Sequence, residues 1–187
     1  MSKEKAERGK KFKTLDMVYV GIFAAIIAVC SWISIPTAIP FTLQTMAVCI
    51  TVGLLGLRRG MLTVIVYILI GLVGVPVFSN FSSGFGQLMG PTGGYLIGFV
   101  FTALTIGTFT MLLGNKAWVY AVSMALGIAV LYVFGTAWFI IVYNRGNADA
   151  VSVSGALSMC VVPFIIPDLI KVALATFFCV TLKKYMK

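Results

Sequence analysis

The chain has no histidine and only five acidic residues, and two of those, Glu4 and Glu7, lie near its start. Without imidazole, the usual side chain for proton transfer and metal ligation near neutral pH is missing. Cysteine is scarce too: Cys30, Cys49, Cys160 and Cys179 are far apart, each in an apolar run, with no C-x-x-C or zinc-type spacing. They read as free, buried thiols that pack, not as a redox pair or a metal site. Neither the phosphate-cradling G-x-x-x-x-G-K-[ST] pattern nor a G-x-S-x-G nucleophile elbow occurs. Intramembrane hydrolysis needs a nucleophile with its base, or paired carboxylates; only Asp168 falls inside an apolar span, while Asp16 sits at the edge of one. These gaps argue against an enzyme and call for no cofactor. Any ATP-driven work needs another polypeptide.

Charge as a whole is sparse, at 10% of residues against 60% hydrophobic, and the mean hydropathy is +1.07. That balance belongs to integral membrane proteins. The net charge of +9 does not point to nucleic acid, because the basic residues sit at the ends of apolar segments and not on one soluble face. The opening "MSKEKAERGKKFKTLDMVYVGIFAAIIAVCSWI" has the basic-then-apolar order of a signal peptide. Its apolar run is longer than usual, however, and no A-x-A-like site follows, so it reads as a retained first helix.

A bilayer-crossing helix needs about 20 mostly apolar residues, because lipid offers nothing to unpaired backbone N–H and C=O groups. Six segments qualify: Leu15 to Ile35, Phe41 to Leu57, Gly60 to Val77, Gly94 to Leu113, Ala117 to Tyr143 and Pro163 to Leu182. The second and third are short. Between the third and fourth, "GVPVFSNFSSGFGQLMGPTGG" is uncharged and rich in Gly, Ser and Pro, so it reads as a loop folding over the bundle or into a cavity. "NRGNADAVSVSGALSMCVV" reads as an outer loop carrying a short surface helix.

Basic residues are excluded from translocated loops. With the N-terminus inside, twelve of the fourteen fall on the cytoplasmic side: Lys3, Lys5, Arg8, Lys10, Lys11, Lys13, Arg58, Arg59, Lys116, Lys183, Lys184 and Lys187. Arg145 is left outside and Lys171 within the membrane. The expected architecture is therefore an all-α integral membrane protein, a six-helix transmembrane bundle with both termini cytoplasmic. It forms one domain over 1–187, with a basic segment at 1–14, the bundle at 15–182 and a basic tail at 183–187.

Asp168 and Lys171, inside "VVPFIIPDLIKVALATFFCV", are the charges this design leaves unexplained. Three apart, they share one face of a helix. Lys171 lies twelve residues above Lys183, roughly 18 Å at 1.5 Å per residue in a core about 30 Å thick, too deep to snorkel to the inner interface. Both should face the bundle interior or an outward-opening pocket. Pro163 and Pro167 suit the first turns of that helix, which would leave amides near Asp168 free for polar contact. A plain ion pair stapling helices together is the other reading.

Two more polar groups gather on the outer half. "IPTAIPFTLQTM" offers Thr42, Gln44 and Thr45, with Phe41 to cover an apolar ligand; read blandly, it is a loop with Thr42 as N-cap. Asn80, Gln87, Thr92 and Tyr95 lie in or beside the Gly-rich loop. Their convergence with Asp168 and Lys171 points to a cavity for a small polar-tipped ligand. On the first helix, Gly21 with Ala25 and Ala24 with Ala28 are spaced for close helix approach, either within the bundle or against a partner.

"PFTLQT" at Pro40 to Thr45, "GLVGVPVF" at Gly71 to Phe78, "GPTGGYLIGF" at Gly90 to Phe99 and "PDLIK" at Pro167 to Lys171 together resemble the BioY family, the biotin-binding membrane components of energy-coupling-factor transporters. The resemblance runs from about Leu15 to Leu182. It implies a six-helix bundle, high-affinity capture of biotin from outside, and association with a membrane coupling protein and two ABC-type ATPases. In such transporters the binding subunit topples in the membrane to release its cargo inward. The resemblance places docking to the coupling protein at Ala24 and Ala28. For such a ligand, Asp168 and Lys171 are expected to hold the ureido ring, with the carboxylate nearer Gln44, Thr45 or backbone N–H groups; the reverse pose stays open. Phe41, Phe78, Phe85 and Tyr95 are the expected apolar lining. A self-sufficient secondary carrier for a small carboxylated metabolite is the competing function, and a ligand-free structural membrane protein a third.

Overall fold

A computed structural model describes residues 13–35, 39–146 and 150–185. Most of the basic N-terminal segment, with Lys3, Lys5, Arg8, Lys10 and Lys11, and also Lys187, lies outside the described residues. The elements run α1 (Thr14–Trp32), β1 (Ser34–Ile35), β2 (Phe41–Thr42), α2 (Gln44–Leu72), a 3-10 turn (Ser79–Phe81), α3 (Phe85–Met89), α4 (Gly93–Leu113), α5 (Ala117–Gly146), α6 (Val153–Cys160) and α7 (Val162–Leu182). The described residues are all-α apart from one two-residue antiparallel pair, Ser34 with Thr42 and Ile35 with Phe41. Among the described residues, five helical stretches are long and apolar enough to cross a membrane: α1, α2, α4, α5 and Val153–Leu182.

The count differs from the expected six because α2 joins the second and third segments. It is not straight. Gly56 has φ 79° and ψ −178°, a conformation open almost only to glycine. Gln44 Nε2 reaches Tyr67 Oη at 2.9 Å, although 23 residues of straight helix would hold them roughly 34 Å apart. The limbs 44–55 and 57–72 therefore pack antiparallel, folded back at Gly56. Gly114, with φ 86° and ψ −177°, reverses the chain in the same way between α4 and α5.

Phe41 to Leu43 lies outside the helix because β2 pairs with β1, which also ends α1 earlier than expected. Leu43, not Thr42, is the cap residue of α2; Thr42, one residue earlier, still accepts from Gln44 N through its Oγ1 at 3.3 Å. At the far end, α2 stops at Leu72 because Gly74 turns with φ 110° and Pro76 cannot continue a helix. Ser152 caps α6 by accepting from Gly155 N at 3.2 Å, and Ala156 and Cys160 pack beneath it, so the expected short helix is present. The helix break before Asp168 falls at Val161, so Pro163 sits in the first turn as expected. Pro167 lies well inside α7, so the expectation of free amides beside Asp168 is corrected: helical amides there bond along the helix.

Membrane helices gain little from hiding apolar groups from each other, since lipid is equally apolar; they associate through close packing and interhelical hydrogen bonds. The α4–α5 seam shows both. A Cβ on Gly94 would meet Trp138 Cβ at 2.2 Å and one on Gly135 would meet the Tyr95 ring at 2.3 Å, while Thr102 Oγ1 donates across to the Gly127 carbonyl at 2.9 Å. The core is filled by Ile27, Val48, Val52, Val64, Tyr67, Phe78, Ile106, Tyr120 and Met124.

One end of the bundle collects the basic turns. Arg59 pairs with Asp16 at 2.8 Å, and Lys183 Nζ donates to the Leu54 carbonyl at 2.6 Å, capping the first limb of α2 where Gly56 breaks it. Tyr120 Oη joins that end by bonding the Gly53 carbonyl at 3.3 Å and Asn115 at 3.0 Å. The opposite end carries the α1–α2 connection, the Gly-rich loop and α6.

Candidate functional site

At that opposite end lies a cavity with an empty volume of about 650 Å3 including its open mouth. Its lining comes from five parts of the chain: Ile39 to Thr45, Phe78 and Ser79, Gln87 to Phe99, Leu131 and Tyr132, and Cys160 to Lys171. The α2 fold-back brings Gln44 and Thr45 to it, and the start of α7 brings Asp168 and Lys171.

Lys171 Nζ lies 2.8 Å from Asp168 Oδ1, and each residue is 5% exposed. Two ions taken out of water are tolerable only when each finds partners. Asp168 has a second one: Tyr132 Oη donates to Oδ2 at 2.6 Å, tying α5 to α7 across the cavity. Lys171 has the Phe41 ring, whose centroid is 4.0 Å from Nζ. Each carboxylate oxygen can accept more than one bond and the ammonium has three protons, so the pair retains capacity for a ligand.

Of the residues expected here, Asp168, Lys171, Gln44, Thr45, Phe78 and Tyr95 line the cavity, as do Thr42, Gln87 and Thr92. Phe41 stands beside it, covering the Lys171 charge and stacking on Phe164 at 5.9 Å. Phe85 is a correction: it opens α3 with 59% exposure and takes no part in the lining. So is Asn80, an exposed residue whose Oδ1 accepts from Ser34 Oγ at 2.9 Å; its φ of 56° suits asparagine in a turn, and it latches the α1–α2 connection. Ala24 and Ala28 point into the core, 4% and 6% exposed, so neither offers a docking face; α1 turns Gly21 and Ala25 outward with Val18, Ile22, Ile26 and Val29.

The cysteine reading holds in part. All four are free, with three buried and Cys30 half-buried, and Cys160 lines the cavity. Tyr132 and Phe164 escaped the sequence reading. A tyrosine in the middle of an apolar span, where its hydroxyl needs a partner, was the available signal for Tyr132.

The sequence model of the BioY family matches residues 3–187. The chain belongs to the BioY family. Among its BioY relatives, the biotin transporter BioY of Thermotoga maritima is 40% identical over 170 residues, covering 90% of this chain and 96% of that one. The probable biotin transporter BioY of Pyrococcus horikoshii is 35% identical over 164 residues, 87% of this chain and 93% of the relative. Biotin transporter BioY2 of Lactococcus lactis is 33% identical over 167 residues, 89% and 88% of the two chains. The fold matches the crystal structure of the S-component for biotin from an ECF-type ABC transporter, with a TM-score of 0.81 over 98% of this chain and 94% of that one; at 24% identity the likeness shows the fold. BioY relatives are named transporters, so this is a multi-pass membrane protein of a transporter family, not an enzyme.

Proposed function

We propose that this chain is the biotin-capturing subunit of an energy-coupling-factor vitamin uptake transporter. The observation that carries the reading is the buried Asp168–Lys171 pair, held by Tyr132 and Phe41 in a cavity at one end of a BioY-family bundle. Biotin has a ureido ring with N–H donors and a carbonyl acceptor, and a carboxylate on an apolar chain. Asp168 accepts from a ureido N–H and Lys171 donates to the ureido carbonyl, while Phe78 and Phe99 flank the apolar body. The carboxylate lies toward the mouth, among Ser79, Gln87 and Thr92.

Counting the two limbs of α2 separately, the chain crosses the membrane six times. Both termini then lie in the cytoplasm with the Arg58–Arg59 and Lys116 turns, and the cavity opens outward. Uptake requires a membrane coupling protein and two ABC-type ATPases, as the name of the matched S-component supports. The coupling protein docks on the outward face of α1 around Gly21 and Ala25. The subunit then topples to deliver biotin inward.

Calorimetric titration of detergent-purified, ligand-free protein with biotin tests this reading. Saturable one-to-one binding, weakened at least about tenfold in Asp168→Asn by loss of a charge-assisted hydrogen bond, is the expected result. Folded protein that takes up no biotin would overturn it.

A further inference from the structure

The cavity wall holds a second acceptor whose polarity is set from behind. Gln44 Nε2 lies 2.9 Å from Tyr67 Oη, and Tyr67 Oη lies 2.9 Å from the Val77 carbonyl. A carbonyl only accepts, and a tyrosine has one hydroxyl proton. The Val77 carbonyl also accepts from Ser31 Oγ at 2.6 Å, using its other lone pair; with the Tyr67 proton on Val77 as well, Tyr67 meets Gln44 with a lone pair and the Gln44 amide turns its NH2 toward Tyr67. Tyr67 is 1% exposed and wedged edge-on against Phe78 at 5.7 Å, so its hydroxyl is held in place. Among the described residues, the fully buried side-chain polar atoms without a partner are Tyr95 Oη and Thr136 Oγ1. Gln44 Oε1 has no donor on it and is not one of these, so this oxygen keeps access to the cavity that Gln44 lines.

We infer that Tyr67 is a positioning residue for ligand specificity: by fixing the orientation of the Gln44 amide, it makes Gln44 an acceptor that selects a ligand N–H. The inference rests on the biotin reading and deepens it. Among the polar groups that line the cavity, Asp168 and Gln44 then act as acceptors beside the cationic donor Lys171. A cyclic urea carries two N–H donors and one carbonyl, and the sets match. Gln44 lines the same cavity as the charged pair, and Phe41, three residues before it in the chain, covers Lys171. It therefore belongs to the ureido end of the ligand and not to the carboxylate, which would set acceptor against acceptor.

The test compares affinities for biotin and for its two cyclic carbamate analogues, in which one or the other ureido N–H is replaced by a ring oxygen. In the parent protein, the analogue that places its oxygen at Gln44 binds at least about tenfold more weakly than biotin, because a donor has become an acceptor facing Oε1. In Tyr67→Phe the amide is free to turn its NH2 to that oxygen, and the ratio of the two affinities falls by about fivefold or more. A merely structural role would weaken both ligands alike, and an unchanged ratio in folded Tyr67→Phe overturns the inference. Should that variant not fold, Gln44→Leu decides: with neither donor nor acceptor it also collapses the ratio, and a parental ratio there is equally fatal. Parent protein that binds no biotin at all refutes the biotin reading itself, a different outcome from intact biotin binding with an unmoved ratio.

Discussion

Lys171→Met and Asp168→Asn, made separately and together, distinguish what the buried pair does for the fold from what it does for the ligand. Removing Lys171 leaves the Asp168 carboxylate, 5% exposed, with the Tyr132 hydroxyl as its one side-chain partner among the described residues. Breaking a buried pair from one side costs about 3–5 kcal/mol, mostly the stranded charge. Removing the Asp168 charge leaves an ammonium that still has the Phe41 ring at 4.0 Å; a desolvated cation–π contact contributes about 2 kcal/mol, so this variant loses less. The double variant strands neither charge. Replacing both members of a buried pair is often neutral or stabilising by about 1–4 kcal/mol, so thermal unfolding in detergent, followed by tryptophan fluorescence, should show it recovering stability beyond Lys171→Met. Biotin affinity, read by calorimetry, follows the opposite rule and stays reduced at least about tenfold in all three variants, because none presents both the donor and the charged acceptor. A double variant that regains stability and binds biotin like the parent reduces the pair to a helix staple. A double variant no more stable than Lys171→Met refutes the electrostatic account.

Tyr132→Phe removes the 2.6 Å bond to Asp168 Oδ2 and should weaken biotin binding about tenfold in the same titration, as loss of a hydrogen bond to a charged group costs about 1.5–3 kcal/mol. Gly94→Ala drives a Cβ to 2.2 Å from Trp138 Cβ and should lower the unfolding temperature clearly, with overpacking costing about 1–3 kcal/mol, whereas Gly86→Ala, with nothing within 4 Å, should leave it nearly unchanged. Equal effects of the two would discredit the close α4–α5 seam. Phe85→Ala should leave biotin affinity within about 0.5 kcal/mol of the parent, since Phe85 is exposed and outside the cavity lining; a large loss would return it to the site.

The sequence by itself determined the class of protein, because that rests on composition and on runs of apolar residues that lipid requires whatever the topology. It also singled out Asp168 and Lys171, since two charges deep in an apolar run must be partnered wherever the chain places them. The boundaries of α4, α5 and α7 were legible within a few residues for the same reason. What it could not decide is anything set by contacts across the bundle. Ala24 and Ala28 were visible as a small-residue stripe, but only packing shows which side of α1 is inward. Phe85 and Asn80 sit in a loop whose composition looks alike along its length, and the tertiary path alone sends Phe78, Ser79 and Gln87 to the cavity while leaving those two at the surface. Tyr132 lies 36 residues from Asp168 and Tyr67 lies 23 from Gln44, so no local pattern announces either hydrogen bond. Spacing predicts neighbours along a helix, whereas the polarity of a site depends on which groups meet across helices, and only the folded bundle settles that.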